Sequence, residues 1–421
     1  MKQYDSYKDS GIEWIGKIPS HWEVCAFKRK IAINNGRDYK EFLDDELYPV
    51  MGSGGCFAYC SKYLYDGEAV LLGRKGTIDK PLYINGKFWA VDTMFYATPL
   101  KGLHCKFAYY LALTFPFNYY STSTALPSMT QSDLGNNPVA MPPFVEQEGI
   151  ASYLDKKCGE IDKAIATQEN RVELLKELRQ NIITQAVTRG IHPDAPLKDS
   201  GVEWIGEVPE HWEIKKIKHV INLLTDYDAN GSFADIAKNC KVNEGVPYAW
   251  MVRATDLENK RYGIVDGNNY CDQSTYEYLA KSSLKANDIL IAKRGDIGKT
   301  YLVPQCEDPM TLAPNTYLLL TKKDVINNIF FFNYLQSSGG VENLRILNKS
   351  TTLGALYKDD VKAMQIPVPP LSEQQEIVSY IESQTARLDK SIEKAEHQIE
   401  LLQELKQSVI TEVVTGKRKV C

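Results

Sequence analysis

A chain of 421 residues, 43% of them hydrophobic and 24% charged, has the composition of an ordinary globular protein and enough length for two or three domains. No stretch reaches the roughly eighteen apolar residues that a membrane helix needs, and the start of the chain is polar where a signal peptide is apolar, so we expect a cytoplasmic protein. The formal net charge of −5 gives no general indication of nucleic-acid binding.

The charge is balanced within segments as well. Residues 1–143 contain 15 lysines and arginines against 14 acidic residues, and residues 191–370 contain 20 against 23. Any nucleic-acid-binding face must therefore be a local patch.

The nine cysteines are scattered and odd in number, which favours free thiols. Cys56 and Cys60 with His104 and Cys105 lack the two short clusters typical of a structural zinc site, so no metal site is expected.

The sequence contains an internal repeat, in which two copies share their first and last segments. KDSGIEWIGKIPSHWE, residues 8–23, returns as KDSGVEWIGEVPEHWE at 198–213, a displacement of 190 positions. MPPFVEQEGIASYLDKKCGEIDKAI, from Met141, returns as VPPLSEQQEIVSYIESQTARLDKSI, from Val368, a displacement of 227. Repeated beginnings and ends around divergent interiors are typical of two copies that do the same kind of work on different ligands.

Two shorter matches lie inside the divergent interiors. GRKGTIDK from Gly73 matches AKRGDIGK from Ala292, and STSTALPSMTQSDL from Ser121 matches NKSTTLGALYKDDV from Asn348. The strand pattern also aligns Asn315 with Asp92.

A helical period begins after each Pro-Pro pair. Apolar residues recur at spacings of three and four, which predicts one face of a long helix in each copy. In the first copy this stripe is Ile150, Leu154, Ile161, Ile165, Val172, Leu175, Leu178, Ile182 and Ala186, and in the second it is Ile377, Ile381, Leu388, Ile392, Ile399, Leu402, Leu405, Val409 and Val413. We take these positions, apart from Leu178, Ala186, Leu405 and Val413, as the interface of an antiparallel coiled coil. The alternative is that each helix packs on its own module or on a second protein.

The modules before the helices have a mixed pattern. Residues 69–75, 288–294 and 315–321 are typical of strands, whereas residues 106–115 and 325–338 are typical of helices. The predicted fold class is α+β, with two tandem mixed α/β modules joined by two long helices that form an antiparallel coiled coil.

Catalytic motifs are incomplete. The segment RGDIGKT from Arg294 ends like a phosphate-binding loop, but Lys293, directly before it, stands where such a loop requires glycine. The segment MPPF from Met141 resembles the motif with which adenine methyltransferases hold the amino group of the target base, but methionine cannot accept that hydrogen bond. Asp288, Asp296 and Lys299 resemble a nuclease cluster, but the first copy offers only Asp79 and Lys80 there. We therefore expect a binding protein with no catalytic, cofactor-binding or metal-binding residues.

The chain resembles the specificity subunits of Type I restriction–modification systems. The features that it shares with them are the repeated segments 8–23 and 198–213, the PP-x-x-EQ helix starts at Pro142 and Pro369, and the helix ends QNIITQAVTRG and QSVITEVVTGK. The resemblance covers nearly the whole chain. It implies target-recognition domains at 1–143 and 191–370, and spacer helices at 144–190 and 371–421.

The resemblance also implies the partners. Each domain would read one half of a split, asymmetric double-stranded DNA target, while the helices set the spacer and dock two methyltransferase subunits. Two motor-nuclease subunits would join for cleavage. S-adenosylmethionine, ATP and magnesium would be bound by those partners and not by this chain.

Recognition of a DNA sequence requires side chains that reach the base edges, and contacts with phosphates fix the position of the protein along the DNA. Our candidates are cations spaced by glycine turns, hydroxyl side chains in the second short match, and one asparagine: Arg74, Lys75, Lys80, Lys293, Arg294, Lys299, Thr122, Ser123, Thr124, Ser350, Thr351, Thr352 and Asn315. The alternative for all of them is an exposed polar turn. The alternative function for the chain is a protein-interaction scaffold built from repeats and a coiled coil.

Overall fold

The computed structural model describes residues 3–44, 47–117, 127–347 and 355–420. The chain divides into two compact units, unit 1 with Met1–Asn170 and Ala395–Cys421, and unit 2 with Arg171–Lys394. This division cuts each long helix near its middle, whereas the four segments expected from the sequence end at the helix ends. Among the described residues, no helix is both long and apolar enough to cross a membrane.

Unit 1 is built on a mixed sheet. Its strands are β1 Tyr7–Asp9, β2 Lys17–Pro19, β3 Glu23–Ala26, β4 Ile31–Asn35, β5 Leu43–Asp44, β6 Tyr48–Gly52, β7 Gly55–Cys60, β8 Tyr65–Gly73, β9 Leu82–Ala90, β10 Met94–Pro99 and β11 Pro138–Met141. Within the described residues, seven of them form one sheet in the order β4-β10-β8-β9-β6-β7-β5, in which only β6 and β9 run parallel. The pairs β1–β2 and β3–β11 stand apart from it.

Unit 2 contains the corresponding strands in two sheets. They are β12 Leu197–Asp199, β13 Glu207–Pro209, β14 Glu213–Lys216, β15 Ile221–Asp226, β16 Ala249–Val252, β17 Tyr270–Cys271, β18 Ser283–Leu284, β19 Ile289–Ala292, β20 Thr300–Leu302, β21 Met310–Leu312, β22 Thr316–Thr321 and β23 Gln365–Val368. The sheets have the orders β15-β22-β19-β20 and β17-β16-β21-β18, and the pairs β12–β13 and β14–β23 stand apart.

The two units share one topology. The order β4-β10-β8-β9 of unit 1 returns as β15-β22-β19-β20 in unit 2, and the parallel pair β6–β9 returns as β16–β21. The single long strand β9 of unit 1 corresponds to the separate strands β20 and β21 of unit 2. The strands predicted at 69–75, 288–294 and 315–321 are confirmed as β8, β19 and β22.

Among the described residues, two helices are long and the others are short. They are α1 Cys105–Ala112, α2 Gln131–Asn136, α3 Phe144–Arg189, α4 Ile217–Val220, α5 Phe233–Asn239, α6 Ala254–Glu258, α7 Gln273–Tyr278, α8 Asn328–Gln336, α9 Ser338–Ile346, α10 Lys358–Ala363 and α11 Leu371–Val414. The helices α1 and α8 confirm the predictions at 106–115 and 325–338. The long helices α3 and α11 begin directly after the Pro-Pro pairs, as predicted.

The long helices pair antiparallel in each unit. In unit 1 the Lys406 ammonium lies 2.7 Å from a carboxylate oxygen of Asp162, and the Arg418 guanidinium lies over the Tyr153 ring. A later position on α11 thus meets an earlier position on α3. In unit 2 Arg179 Nε donates to Asp389 at 2.9 Å. The predicted antiparallel coiled coil is therefore present.

The ends of the long helices also enter the module cores. Ile150 and Leu154 share a buried cluster with Val409 and Val413 in unit 1, and Ile183 and Val187 share one with Ile377 and Ile381 in unit 2. Packing against the partner helix and packing against the module, which the sequence left as alternatives, thus both occur. The fourteen predicted interface residues are buried, as for Ile150, Leu154, Ile161, Val172, Ile377, Ile381 and Val409, or half-buried, as for Ile165, Leu175, Ile182, Leu388, Ile392, Ile399 and Leu402. By contrast, Leu178 and Leu405 are exposed although they lie on the predicted stripe.

A buried tryptophan clamps two helix ends together in each unit. Trp22 Nε1 donates to Glu146 in the first turn of α3, and a Cβ added to Gly416, just after α11, would come within 3.2 Å of the same indole. Unit 2 repeats this with Trp212, Glu373 and Gly190. Both glycines have φ near +70°, a conformation that side chains with a Cβ disfavour. The repeated segments 8–23 and 198–213 therefore contact the start of one long helix and the end of the other.

The glutamine after each glutamate ties its helix to the module. Gln147, 1% exposed, accepts from the His104 N–H at 2.9 Å and donates to the carbonyls of Gly102 and Pro142. Gln374, fully buried, accepts from the Asn327 N–H at 2.7 Å and donates to the carbonyls of Val325 and Pro369. Each amide thus satisfies three backbone groups beside the helix start.

Replacing either glutamine with leucine should destabilise the protein by about 2–4 kcal/mol, because buried backbone groups lose their partners. Urea unfolding would measure the loss for Gln147→Leu and Gln374→Leu. Gln403→Leu, at an exposed position of α11, is the matched control and should change the free energy of unfolding little. A loss equal to that of the control would contradict the structural role of these amides.

Candidate nucleic-acid interface

The first short match forms equivalent loops in the two units. Cationic loop 1, Arg74–Lys80, connects β8 to β9, and cationic loop 2, Lys293–Lys299, connects β19 to β20. The Arg74 N–H donates to the Thr93 carbonyl at 2.8 Å, and the Lys293 N–H donates to the Asn315 carbonyl at 2.9 Å. Both loops therefore leave the sheet at the same place and are held by the same neighbouring turn.

These hydrogen bonds correct one alignment made from the sequence. The counterpart of Asn315 is Thr93 and not Asp92, because β10 pairs Met94 with Gly73 while β22 pairs Thr316 with Ala292. The strand pattern alone could not show this, since the turns before β10 and β22 have no sequence in common.

A second segment holds each loop from the other side. The Met129 N–H donates to the Arg74 carbonyl at 3.0 Å, and the Leu356 N–H donates to the Lys293 carbonyl at 3.2 Å. Gly76 and Gly295 both have positive φ, which lets each loop turn back. The predicted hydroxyl residues Thr122, Ser123, Thr124, Ser350, Thr351 and Thr352 lie outside the described residues.

Cationic loop 1 presents charge that its unit does not neutralise. Lys75 and Lys80 are exposed, and within the described residues neither side chain makes an ion pair or hydrogen bond. Arg74 is half-buried, with its guanidinium 5.8 Å from the centre of the Phe95 ring and a long hydrogen bond to the Asp92 carbonyl. Lys75 and Lys80 are thus available for phosphate or base contacts.

Cationic loop 2 differs, because its first cation is buried. The Lys293 ammonium lies 3.0 Å from Asp226 and 2.8 Å from Asp228, and Lys358 also binds Asp226 at 2.8 Å. Burial alone would lower the pKa of Lys293, but the hydrogen bonds to the two carboxylates outweigh it, so the pKa is raised. This placement favours a structural role for Lys293, whose contact with DNA stays a prediction.

The other two cations of cationic loop 2 are exposed, but only one of them is paired with carboxylates. Lys299 is exposed but pairs with Glu258 and Asp296, and these hydrogen bonds raise its pKa. Arg294 is exposed and, in the described part of the chain, has neither a hydrogen bond nor an ion pair. Arg294 is therefore the available cation of this loop.

Asn315 lies beside Arg294, between two surface clefts of unit 2. One cleft is lined by Asp228 and Phe233 and the other by Glu258 and Tyr301, and both are lined by Arg294 and Asn315. Asn315 has φ of 76°, a left-handed conformation that asparagine tolerates better than most residues. An exposed amide beside a guanidinium offers donors and acceptors suited to base edges.

The sequence did not indicate two further residues at these sites. Arg37 is exposed, and its N–H donates to the Ala90 carbonyl while the neighbouring Gly36 N–H donates to Met94, so it flanks the turn that anchors cationic loop 1. Phe233 begins α5, is 91% exposed and lines the cleft with Arg294. The Gly-Arg step at the end of β4 is a signal for Arg37, but no pattern distinguishes Phe233 from a core residue.

The buried charges of unit 2 predict a pH-dependent stability. Burial raises the pKa of Asp226, but the hydrogen bonds from Lys358 and Lys293 outweigh it and hold the pKa below its ordinary value. A carboxyl whose pKa is lowered by folding stabilises the protein above its unfolded pKa, about 3.9, and this contribution is lost as the pH falls through the folded value.

Asp226→Asn should therefore cost about 3 kcal/mol at pH 7, because the buried Lys293 loses one of its two carboxylate partners and the half-buried Lys358 loses its carboxylate. The difference from the wild type should shrink as the pH falls below about 4. Urea unfolding at several pH values would measure this. Asp296→Asn, in the exposed pair with Lys299, is the control and should have little effect. A pH-independent loss in Asp226→Asn would contradict the ion-pair explanation.

The chain matches a family model described as the Type I restriction modification DNA specificity domain, over residues 19–174 and 209–401. It is 22% identical to the Type I restriction enzyme MjaVIII specificity subunit of Methanocaldococcus jannaschii, with 96% of this chain and 94% of the relative covered. It is also 22% identical to the Type I restriction enzyme EcoDI specificity subunit of Escherichia coli, with 96% and 90% covered.

The fold is similar to a chain from a solved structure titled "Structural basis underlying complex assembly and conformational transition of the type I R-M system". The TM-score is 0.66 at 14% sequence identity, covering 94% of this chain and 98% of the other. At this identity the likeness concerns the fold.

Proposed function

Because the chain belongs to the family of Type I restriction–modification DNA specificity proteins, we propose that it reads a bipartite, asymmetric DNA target, one half with each unit. The observation that carries this proposal is the pair of cationic loops. They leave equivalent sheets at equivalent backbone positions, yet present different side chains. A shared scaffold with different exposed chemistry suits two half-sites of different sequence.

The available side chains have the chemistry that reading requires. In unit 1 these are Arg37, Lys75 and Lys80, which suit phosphate oxygens or guanine. In unit 2 Arg294 suits guanine O6 and N7, and Asn315 suits adenine N6 and N7. Phosphate contacts would set the position of each unit, and the base contacts would give the sequence.

The chain would have no catalytic residues and would bind no cofactor. The relatives are named specificity subunits of restriction enzymes, and we propose that two methyltransferase subunits supply S-adenosylmethionine chemistry and two motor-nuclease subunits supply ATP and magnesium chemistry, in the cytoplasm. We retain residues 1–143 and 191–370 as the target-recognition domains, and 144–190 and 371–421 as the spacer helices.

Exposed leucines on the long helices support methyltransferase docking there. Leu174 and Leu178 of α3 correspond, at a displacement of 227, to Leu401 and Leu405 of α11, and all four are exposed. Residues four apart lie on one helix face. A scaffold that binds peptides through its modules would not require equivalent cationic loops that expose different cations on a common fold, so DNA recognition is favoured over that alternative.

The half-site assignment can be tested at single residues. Arg294→Ala and Asn315→Ala should each weaken discrimination at the second half-site by roughly 5- to 150-fold, because a bidentate base contact contributes about 1–3 kcal/mol. Lys75→Ala should affect only binding through the first half-site. Competition between duplexes with altered half-sites, in the presence of the methyltransferase subunit, would measure both effects.

Arg345→Ala removes an exposed arginine of unit 2 that pairs with Glu342, and serves as the control. Uniform weakening of all duplexes by Arg294→Ala, with a salt dependence reduced by about one charge, would contradict base reading by Arg294. Mapping methylated adenines in cells that express the chain with its methyltransferase would identify the target. An absence of sequence-specific methylation would contradict the proposed function.

The spacer can be tested by lengthening both helices together. A copied heptad inserted after Asn170 and after Lys394, where the compact units divide, adds about 10 Å to each helix and keeps the apolar stripe in phase. The spacer should grow by about three base pairs, with both half-sites unchanged. Inserting only one heptad should disturb the helix pairing. An unchanged spacer after the double insertion would contradict the role of the helices as its determinant.

A further inference from the structure

We propose that Trp14 and Trp204 anchor two equivalent protein-docking surfaces, each of which binds one copy of the methyltransferase subunit. This inference rests on the proposed function, because it assumes that the chain acts with that partner. It concerns the globular part of each unit and is separate from the leucine pairs of the long helices.

Exposed apolar side chains fall into two groups. Most occur in one unit only, as do Phe57 and Phe233. Among the described residues, the large exposed apolar positions that recur in both copies with the same residue are Trp14 with Trp204, Leu174 with Leu401 and Leu178 with Leu405. Of these pairs, only the tryptophans lie outside the long helices. They are 38% and 37% exposed.

The two tryptophans are presented by the same turn. β1 and β2 pair Asp9 with Lys17, and β12 and β13 pair Asp199 with Glu207. In each turn the aspartate accepts the N–H of the glycine two residues later at 2.9 Å. The apolar residues on either side of each tryptophan, Ile12 and Ile15 in unit 1 and Val202 and Ile205 in unit 2, are buried.

This packing holds the turn on its unit and leaves more than a third of each tryptophan exposed. Within the described residues, neither indole donates a hydrogen bond, stacks on another ring or contacts a cation. A large, partly exposed apolar side chain of this kind is typical of binding surfaces. Its recurrence in both copies, although the interiors diverged, indicates a contact that both units make.

The occupant must be the same for both units. Half-site bases are excluded, because two halves of an asymmetric target differ. The DNA backbone is common to both halves, but the charged residue that both turns place directly beside the tryptophan is an exposed glutamate, Glu13 in unit 1 and Glu203 in unit 2. Further along the turn the units differ, because unit 1 has Lys17 where unit 2 has Glu207, which pairs with Arg189. Phosphates would be repelled there.

The surface therefore fits a protein with an apolar pocket and a basic rim, bound once by each unit. Tryptophan is among the residues that most often dominate such interfaces. In the proposed function the methyltransferase subunit is present in two copies and must be placed at each half-site. We assign it as the occupant.

The test measures how many methyltransferase subunits bind the full chain. Native mass spectrometry and sedimentation should give two copies for the wild type, one each for Trp14→Ala and Trp204→Ala, and none for the double variant at the concentration that saturates the wild type. Truncating an anchor tryptophan should weaken binding at its own site by about 30-fold or more. Trp14→Phe and Trp204→Phe should restore part of the affinity.

Leu47→Ala and Val341→Ala are matched controls, because these exposed apolar residues lie one in each unit without an identical exposed counterpart. They should leave two copies bound, and thermal unfolding should show all variants folded. A double tryptophan variant that binds two copies with wild-type affinity would overturn the inference and leave the DNA reading intact. Loss of motor-subunit binding with methyltransferase binding unchanged would overturn the assigned occupant. A wild-type chain that binds neither methyltransferase nor specific DNA would overturn the proposed function itself.

Discussion

In each unit a buried indole lies where the start of one long helix meets the end of the other, and this contact is possible only if the helices pair antiparallel. Trp22 contacts Glu146 at the start of α3 and the backbone at Gly416 after α11, and Trp212 makes the same contacts with Glu373 and Gly190. One side chain thus holds the start of one helix beside the end of the other. A parallel arrangement would separate Trp22 from Gly416 and Trp212 from Gly190, whereas Gln147 and Gln374 fix each helix start to its own module in either arrangement.

This contact explains why the repeat survives at its two ends. The frame at 8–23 and the helix start at Met141 are far apart in sequence, but β3 pairs with β11 and Trp22 meets Glu146, so they form one structural element. The same holds for β14, β23 and Trp212 in unit 2. Between the two ends, residues such as His104, Tyr110 and Asn327 contact a long helix, whereas within the described part of the chain the cationic loops and the strand ends beside them do not. These loops can diverge without disturbing the helices, which is what separate reading of two half-sites requires.

Most of the architecture could be predicted because its signals are local or repeated. The helical period located α3 and α11, and apolar runs located β8, β19 and β22. Features decided by distant residues could not be predicted. The exposure of Leu178 depends on which helix face the module and partner helix cover. The burial of Lys293 depends on Asp226 and Lys358, both more than sixty residues away in sequence.

The two cationic loops show how one scaffold acquires different surfaces. The pairs Arg74-Lys75 and Lys293-Arg294 have the same charge and equivalent backbone hydrogen bonds to the neighbouring turn. Only in the second pair is one cation, Lys293, buried in an ion pair. The difference arises at the end of strand β4 in unit 1 and β15 in unit 2, where Asn35 and Arg37 correspond to Asp226 and Asp228. The two carboxylates of unit 2 hold Lys293 in the interior and leave Arg294 beside Asn315, whereas Arg37 adds to the exposed charge near cationic loop 1. The charge offered by a loop is therefore set partly by a neighbouring strand end, so it can change while the repeated frame stays the same.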